Sequence, residues 1–248
     1  MWQPFPPELH GKDNAMFSVI FEVRPNDGKK DAYLDLAKHL KPILEKIDGF
    51  VDNERFESLL RPGWVLSHST WRDEKSVVRW RTEGEHHVVQ ARGRFEIFRD
   101  YHLRVGDVTF DSDPPREAPV RERRFDETEV GRAKLVTYTE ITPRKGAGFA
   151  SQADLLPAHL GLDLKRDAVV EHDVWASIYN PGKVALLVAW RDAGAADLWT
   201  PKTLDGVATL RHRKVRVVRD YGRFDRREAP QFYEDVKGAA TKHPEPAH

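Results

Sequence analysis

Cysteine is absent from the 248 residues, and its absence excludes disulfides, thiolate metal sites and a cysteine nucleophile. Long apolar runs are absent as well: no stretch approaches the roughly 18 residues that a membrane-spanning helix needs. The opening segment MWQPFPPELHGKDN has no basic stretch followed by an apolar one, so a secretory leader is not expected and the cytoplasm is the expected compartment. Neither sign of charge is in excess. Lys plus Arg and Asp plus Glu number 40 each, which leaves no net field to draw the chain onto nucleic acid or an anionic membrane. The basic run Arg211-His212-Arg213-Lys214 leads into Val215, Val217 and Val218 and reads as the solvated face of a strand. Phosphate-loop, dinucleotide-binding, nucleophile-elbow and HExxH patterns are all missing, and His39, His68, His172 and His212 share no ligand spacing. No metal is expected.

What the chain does contain is an internal repeat. SLLRPGWVLSHSTWRDEKSVVRW, from Ser58 to Trp80, is answered by SIYNPGKVALLVAWRDAGAADLW, from Ser177 to Trp199. Pro62-Gly63, Trp71-Arg72-Asp73 and Trp80 match Pro181-Gly182, Trp190-Arg191-Asp192 and Trp199 at one constant offset. Upstream, Glu22-Val23-Arg24-Pro25 answers Glu140-Ile141-Thr142-Pro143, and DNERF from Asp52 answers EHDVW from Glu171. Downstream, Phe98-Arg99-Asp100-Tyr101 is matched to Val218-Arg219-Asp220-Tyr221 with one inserted residue. The expected organisation is an N-terminal arm (1–14), a first module (15–110), a polar linker (111–131), a second module (132–226) and a C-terminal tail (227–248).

Within a module the local patterns give a strand at Phe17 to Arg24 and a helix at Asp31 to Ile47, with Leu36, Leu40, Ile43, Leu44 and Ile47 on one face and Pro42 predicting a kink. Strands at Phe50 to Leu60 and Trp64 to Arg72 flank a Pro-Gly hairpin. Asp73 caps a second helix that breaks near Gly84, and a last strand covers Phe95 to Val105. The order βαββαβ is the ferredoxin-like α+β arrangement, with both helices on one sheet face. The bare faces of two such sheets are expected to pack together and enclose a hollow, the fusion turning a dimer into an intramolecular pair.

The residues of the first module resemble the antibiotic biosynthesis monooxygenase family, the dimeric α/β-barrel group. The resemblance is carried by Ile47-Asp48-Gly49-Phe50, by Trp71-Arg72-Asp73-Glu74 with Trp80, by Glu85-His86-His87 running on to Gln90 and Arg94, and by Asp100-Tyr101. The second module keeps the framework but lacks the Glu-His to Gln segment. The resemblance implies a tandem pair of ferredoxin-like modules forming a dimeric α/β-barrel pseudo-dimer, and an oxidoreductase. Some members of the family are cofactor-free oxygenases of phenolic compounds. A related branch binds and degrades haem through a helix-two histidine, a tryptophan and a strand-one asparagine; strand one here, FSVIFEV, has no asparagine.

His86 and His87 are the candidate catalytic pair, as general base or, if haem is bound, as axial ligand. Neighbouring helical residues diverge by about 100°, so only one of the two can face a cleft. Glu22 on strand one is a third candidate, with an ion pair to Arg99 (and of Glu140 to Arg219) as the structural alternative. Trp80, Trp71 and Phe56, the last with Trp175 as counterpart, are candidate substrate-binding residues, against a reading as core aromatics. The expected function is monooxygenation of a small aromatic or polycyclic molecule without a cofactor. A haem protein and a non-catalytic ligand-binding module are the alternatives. Whether chains pair further is left open.

Overall fold

The computed structural model describes residues 16–115 and 124–231. The expected arm and most of the expected tail, and the middle of the linker, lie outside the described residues. The protein is α+β and built on one large antiparallel sheet. Strands β1 (Phe17–Pro25), β2 (Phe50–Ser58), β3 (Val65–Trp71) and β4 (Phe98–Asp111) come from the first half of the chain. Strands β5 (Leu135–Pro143), β6 (Val169–Ser177), β7 (Val184–Trp190) and β8 (Val207–Gly222) come from the second. They close into a barrel in the order β1-β3-β2-β6-β7-β5-β8-β4. The halves meet edge to edge along two seams, Phe56–Ser58 against Trp175–Ser177 and the longer β4–β8 pairing.

Three repeat blocks keep register in space. Phe17 opposes Trp71 as Leu135 opposes Trp190, and Phe50 opposes Trp71 as Val169 opposes Trp190. The fourth does not. Pro25 pairs with Phe98, whereas Pro143 pairs with Val207. The counterpart of Phe98 is therefore Val207, and Arg219-Asp220-Tyr221 lies further along the same strand. The physical reason is a missing helix: the first half has α2 (Glu74–Thr82), α3 (Gly84–Arg92) and a π turn (Gly93–Ile97) before β4, while only α5 (Ala193–Asp197) precedes β8.

Side chains alternate along each strand between the barrel interior and the helix-covered outside. Ile20, Phe56, Leu66, Tyr138, Trp175, Leu187 and Val217 fill the interior. That corrects the expected hollow between the sheets. The facing surfaces meet in a packed core, and the cavity lies on the other side, under the helices of the first half. Helix α1 (Lys30–Leu44) buries Tyr33, Ala37, Leu40 and Leu44, an apolar stripe at helical spacing, and ends two residues beyond Pro42. Gly49, at φ 90°, turns the chain into β2 where a Cβ would strike Ser76 Oγ. Asp73 starts α2 by accepting the Ser76 N–H at 2.8 Å. In the second half a 3₁₀ turn (Ala150–Leu155) and the short α4 (Leu156–His159) replace a long first helix. There Leu156, Leu160, Leu162 and Trp199 pack into one hydrophobic core.

The interior also holds charge. Glu22 meets Arg61 at 2.5 Å and Arg104 at 3.0 Å, not Arg99, which is exposed. Arg61 continues to Asp173 at 2.7 Å, and Arg104 to Glu171. Glu140 pairs with Arg213 and, at 2.6 Å, with Lys183, not with Arg219. His212 and Arg213 are buried, so the basic run is not a solvated face: strand alternation turns Arg213 inward to an acidic partner.

Candidate active site

The turn between α2 and α3 builds the first part of the site. Glu83 is extended and caps α3 by accepting the His86 N–H at 2.7 Å. The chain folds back so that the His86 ring lies on Trp80, with centroids 3.8 Å apart and planes 12° apart. His86 Nδ1 donates to the Trp80 carbonyl at 2.8 Å, since a carbonyl can only accept. Nε2 then carries the lone pair, and the Gln90 amide nitrogen lies 3.4 Å from it. Burial lowers the His86 pKa to about 4 against the raising effect of the Trp80 carbonyl, so the ring is a neutral acceptor at neutral pH. His87 points away: it is exposed, with the Gln231 amide 3.3 Å from Nδ1.

The cavity that His86 and Trp80 border has a volume of about 220 Å³. Its walls are largely apolar, from Phe21 on β1, Leu40 on α1, Val77 on α2, Val89 on α3 and Leu103 on β4. The β2 and β3 side is polar. Asn53 Nδ2 donates to Ser67 Oγ at 3.1 Å and to the His68 carbonyl at 2.9 Å, and Arg55 Nη1 donates to Asn53 Oδ1 at 3.0 Å. On the β4 and β8 side, the Tyr101 hydroxyl accepts from Arg94 Nη1 at 2.9 Å and Arg226 Nη1 at 2.7 Å. Burial pushes the Tyr221 hydroxyl up to about 12, with Tyr101 adding and Arg226, Arg81 and Arg219 opposing. It stays a neutral hydroxyl among guanidinium groups.

The residues singled out in the sequence separate into two groups. Trp80 and His86 border the cavity; Trp71 is fully buried behind Trp80, their rings 6.5 Å apart, with its indole N–H donated to Ser69 Oγ. Phe56 and Glu22 do not reach it. Both sit inside the barrel, because even-numbered positions on β1 and β2 turn away from the helices; Phe56 meets Tyr138 at 6.2 Å. Burial opposes ionisation of Glu22, but Arg61 and Arg104 outweigh it and hold its pKa at about 2, which leaves it a structural anion. The sequence reading did not single out Asn53 and Arg55, and it quoted Gln90, Arg94 and Tyr101 for the family resemblance without assigning them to the site. It also missed that Arg219, Tyr221, Arg226 and Gln231 reach the site from the second half.

Among the described residues, Glu22, His102 and Glu171 are the one group of donor atoms close enough to share a metal. Arg104 already bridges the two carboxylates. A haem, if bound, would use His86 Nε2, the imidazole nitrogen at the cavity border, in place of the Gln90 amide 3.4 Å from it, and no step is derived through one. Among the described residues no helix is long and apolar enough to cross a membrane.

Comparison with known proteins accords with this picture. The antibiotic biosynthesis monooxygenase model matches residues 16–92, the span that builds β1 to α3. The chain is 43% identical over 223 residues to the jasmonate monooxygenase ABM of Pyricularia oryzae, covering 88% of this chain and 98% of that protein. Two aldoxime dehydratase structures share the fold. One, at 14% identity, has a TM-score of 0.50 and covers 82% of this chain and 81% of its own. The other, co-crystallised with butyraldoxime, is 11% identical, with a TM-score of 0.51 and coverage of 82% and 79%. An α+β barrel with a cavity under the first-half helices, a family match over that half and a relative similar along nearly its whole length place this chain in the antibiotic biosynthesis monooxygenase family, as an oxidoreductase of the monooxygenase kind.

Proposed function

We propose that this protein inserts one atom of dioxygen into a small, largely apolar ring compound held in the first-half cavity, with Trp80 against the ring and His86 Nε2 accepting a proton or hydrogen bond from it. The observation that carries the reading is the His86–Trp80 stack, which presents a neutral nitrogen lone pair at the border of an apolar cavity. The repeat and the barrel support a tandem pair of ferredoxin-like modules, of which the first keeps a site and the second has packed its own shut.

Two substrate classes follow from different observations. An electron-rich phenol fits the aromatic wall. Its anion can reduce dioxygen directly, one oxygen atom going to the ring as a quinone oxygen and the other leaving as water, and no cofactor is needed. The relative named a jasmonate monooxygenase favours a jasmonate, a cyclopentanone that carries a carboxylic acid. Hydroxylating a C–H bond of such a compound consumes two electrons and two protons from a donor besides dioxygen.

The test is incubation of the purified protein with jasmonic acid and with polycyclic phenols under isotopically labelled dioxygen, each with and without a reduced nicotinamide donor. Mass spectrometry reads the label. One labelled oxygen in the product, lost in Trp80→Ala and His86→Ala, is expected. No label in any product would refute the reading.

A further inference from the structure

The second half supplies more than a seam. Strand β8 and the segment after it pass across the first-half cavity and bring Arg219, Tyr221 and Arg226 to it. The segment is fastened at both ends. Glu228 accepts from the Thr128 hydroxyl at 2.6 Å and from the Asp220 N–H at 2.7 Å, and Gln231 donates to the Arg81 carbonyl at 3.1 Å. Arg94 on the first-half side donates to the Arg223 carbonyl at 2.9 Å. The hydroxyl of Tyr101 thus lies between a guanidinium from each half, Arg94 and Arg226. Arg226 lies 5.8 Å from the Tyr221 ring centroid, and Arg81 and Arg219 act on the same Tyr221 hydroxyl.

Four guanidinium groups and two phenol hydroxyls therefore converge on one side of a cavity that has Asn53, Arg55 and Ser67 on its β2 and β3 side and is largely apolar elsewhere. Glu74 is the one carboxylate among the described lining residues, and Arg124 binds it at 2.5 Å. Guanidinium forks and hydroxyl donors together match the lone pairs of a carboxylate.

We infer that this wall, assembled from Arg81, Arg94 and Tyr101 of the first half and Arg219, Tyr221 and Arg226 of the second, binds the carboxylate of the substrate, so that the enzyme takes the free acid of an apolar ring compound over its neutral ester. The inference rests on the cavity being the substrate site, as proposed above, but not on which ring is oxidised.

The experiment is titration calorimetry with two matched pairs: jasmonic acid and methyl jasmonate, 1-naphthoic acid and methyl 1-naphthoate. A charge-assisted contact gives the acid an advantage on the order of tenfold to a hundredfold. Arg226→Gln should cut the affinity for both acids about tenfold and leave the esters within about twofold, with Arg226→Lys between. Equal affinity of acid and ester in the wild-type protein, or no measurable binding of either pair, would overturn the inference without reference to any variant. The two readings fail separately. Acids that bind tightly but take up no labelled oxygen sink the monooxygenase reading alone, and oxidation without acid preference sinks this one alone.

Discussion

Arg61→Met tests whether the charges inside the barrel stabilise it as a set. The guanidinium lies 4.8 Å from the Trp64 ring centroid and 5.2 Å from that of Trp175, and binds Glu22 at 2.5 Å and Asp173 at 2.7 Å. Methionine keeps most of the apolar stem and removes the cation. Glu22 retains Arg104, whereas Asp173 keeps two neutral donors, the Ser58 hydroxyl at 2.8 Å and the Val174 N–H at 2.7 Å. Stranding a buried carboxylate costs about 3 to 5 kcal/mol, which in a chain of this size lowers Tm by about 6 to 20 °C. The pH dependence has a definite sign. Burial, against the pull of Arg61, already raises Asp173 to about 6. Without Arg61 its folded pKa rises further, the folded state binds the extra proton, and the variant recovers stability as pH falls. Thermal unfolding at pH 8 and pH 6 should therefore show a larger deficit at pH 8. Group shifts common to both proteins cancel in the difference. A Tm within about 2 °C of wild type at pH 8, or a deficit that grows on acidification, would refute the reasoning. Restoring stability by adding Asp173→Asn to Arg61→Met would support it.

Three further outcomes are expected. His86→Ala should lower oxygen incorporation about a hundredfold or more, as loss of a positioned proton acceptor does, while His87→Ala on the outer face stays within about twofold; equal losses would reject the assignment of His86. The pKa of His86, at about 4 when folded, means that this group's stabilisation is present above about 6.5 and is lost as pH falls toward 4, so the Tm advantage of wild type over His86→Gln should shrink on acidification, as read by calorimetry. Gly106→Ala would set a Cβ 2.1 Å from the Arg216 carbonyl oxygen across the β4–β8 seam, and a loss of about 2 to 4 kcal/mol in denaturant unfolding is expected; an unchanged midpoint would mean that the seam gives way at little cost.

Much of the framework was legible because it depends on local rules. The strand at Phe17, the Asp73 cap and the break beside Gly84 each follow from a handful of adjacent residues. The repeat marked Trp71 and Trp80 as recurring aromatics, read as substrate-binding or core; Trp71 is core and Trp80 borders the cavity. The site was legible only in part. Adjacent histidines must diverge, but which one turns inward depends on the Glu83 cap and on the Trp80 carbonyl that receives Nδ1. Arg219 and Tyr221 were misread for a physical reason: matching VRDY to FRDY ignores the absence of α3 from the second half, which shifts β8 along its neighbours. Their role depends on strand register across a seam, and no local pattern reports it. Phe56 was read as substrate-binding or core; it faces the barrel interior, which is packed.

Closing the barrel has a consequence for assembly and for divergence. Each half-sheet is hydrogen-bonded to the other half along both margins, over the short Phe56–Ser58 seam on one side and the longer β4–β8 pairing on the other, so among the described residues the places where another chain's strand could add are confined to the parts of β2 and β6 outside that short seam. Covalent union also frees the halves from identity. In a pair of separate identical subunits every substitution appears twice; here Trp199 and the leucines around it form a packed core in the second half, while the first half keeps a cavity beside Trp80.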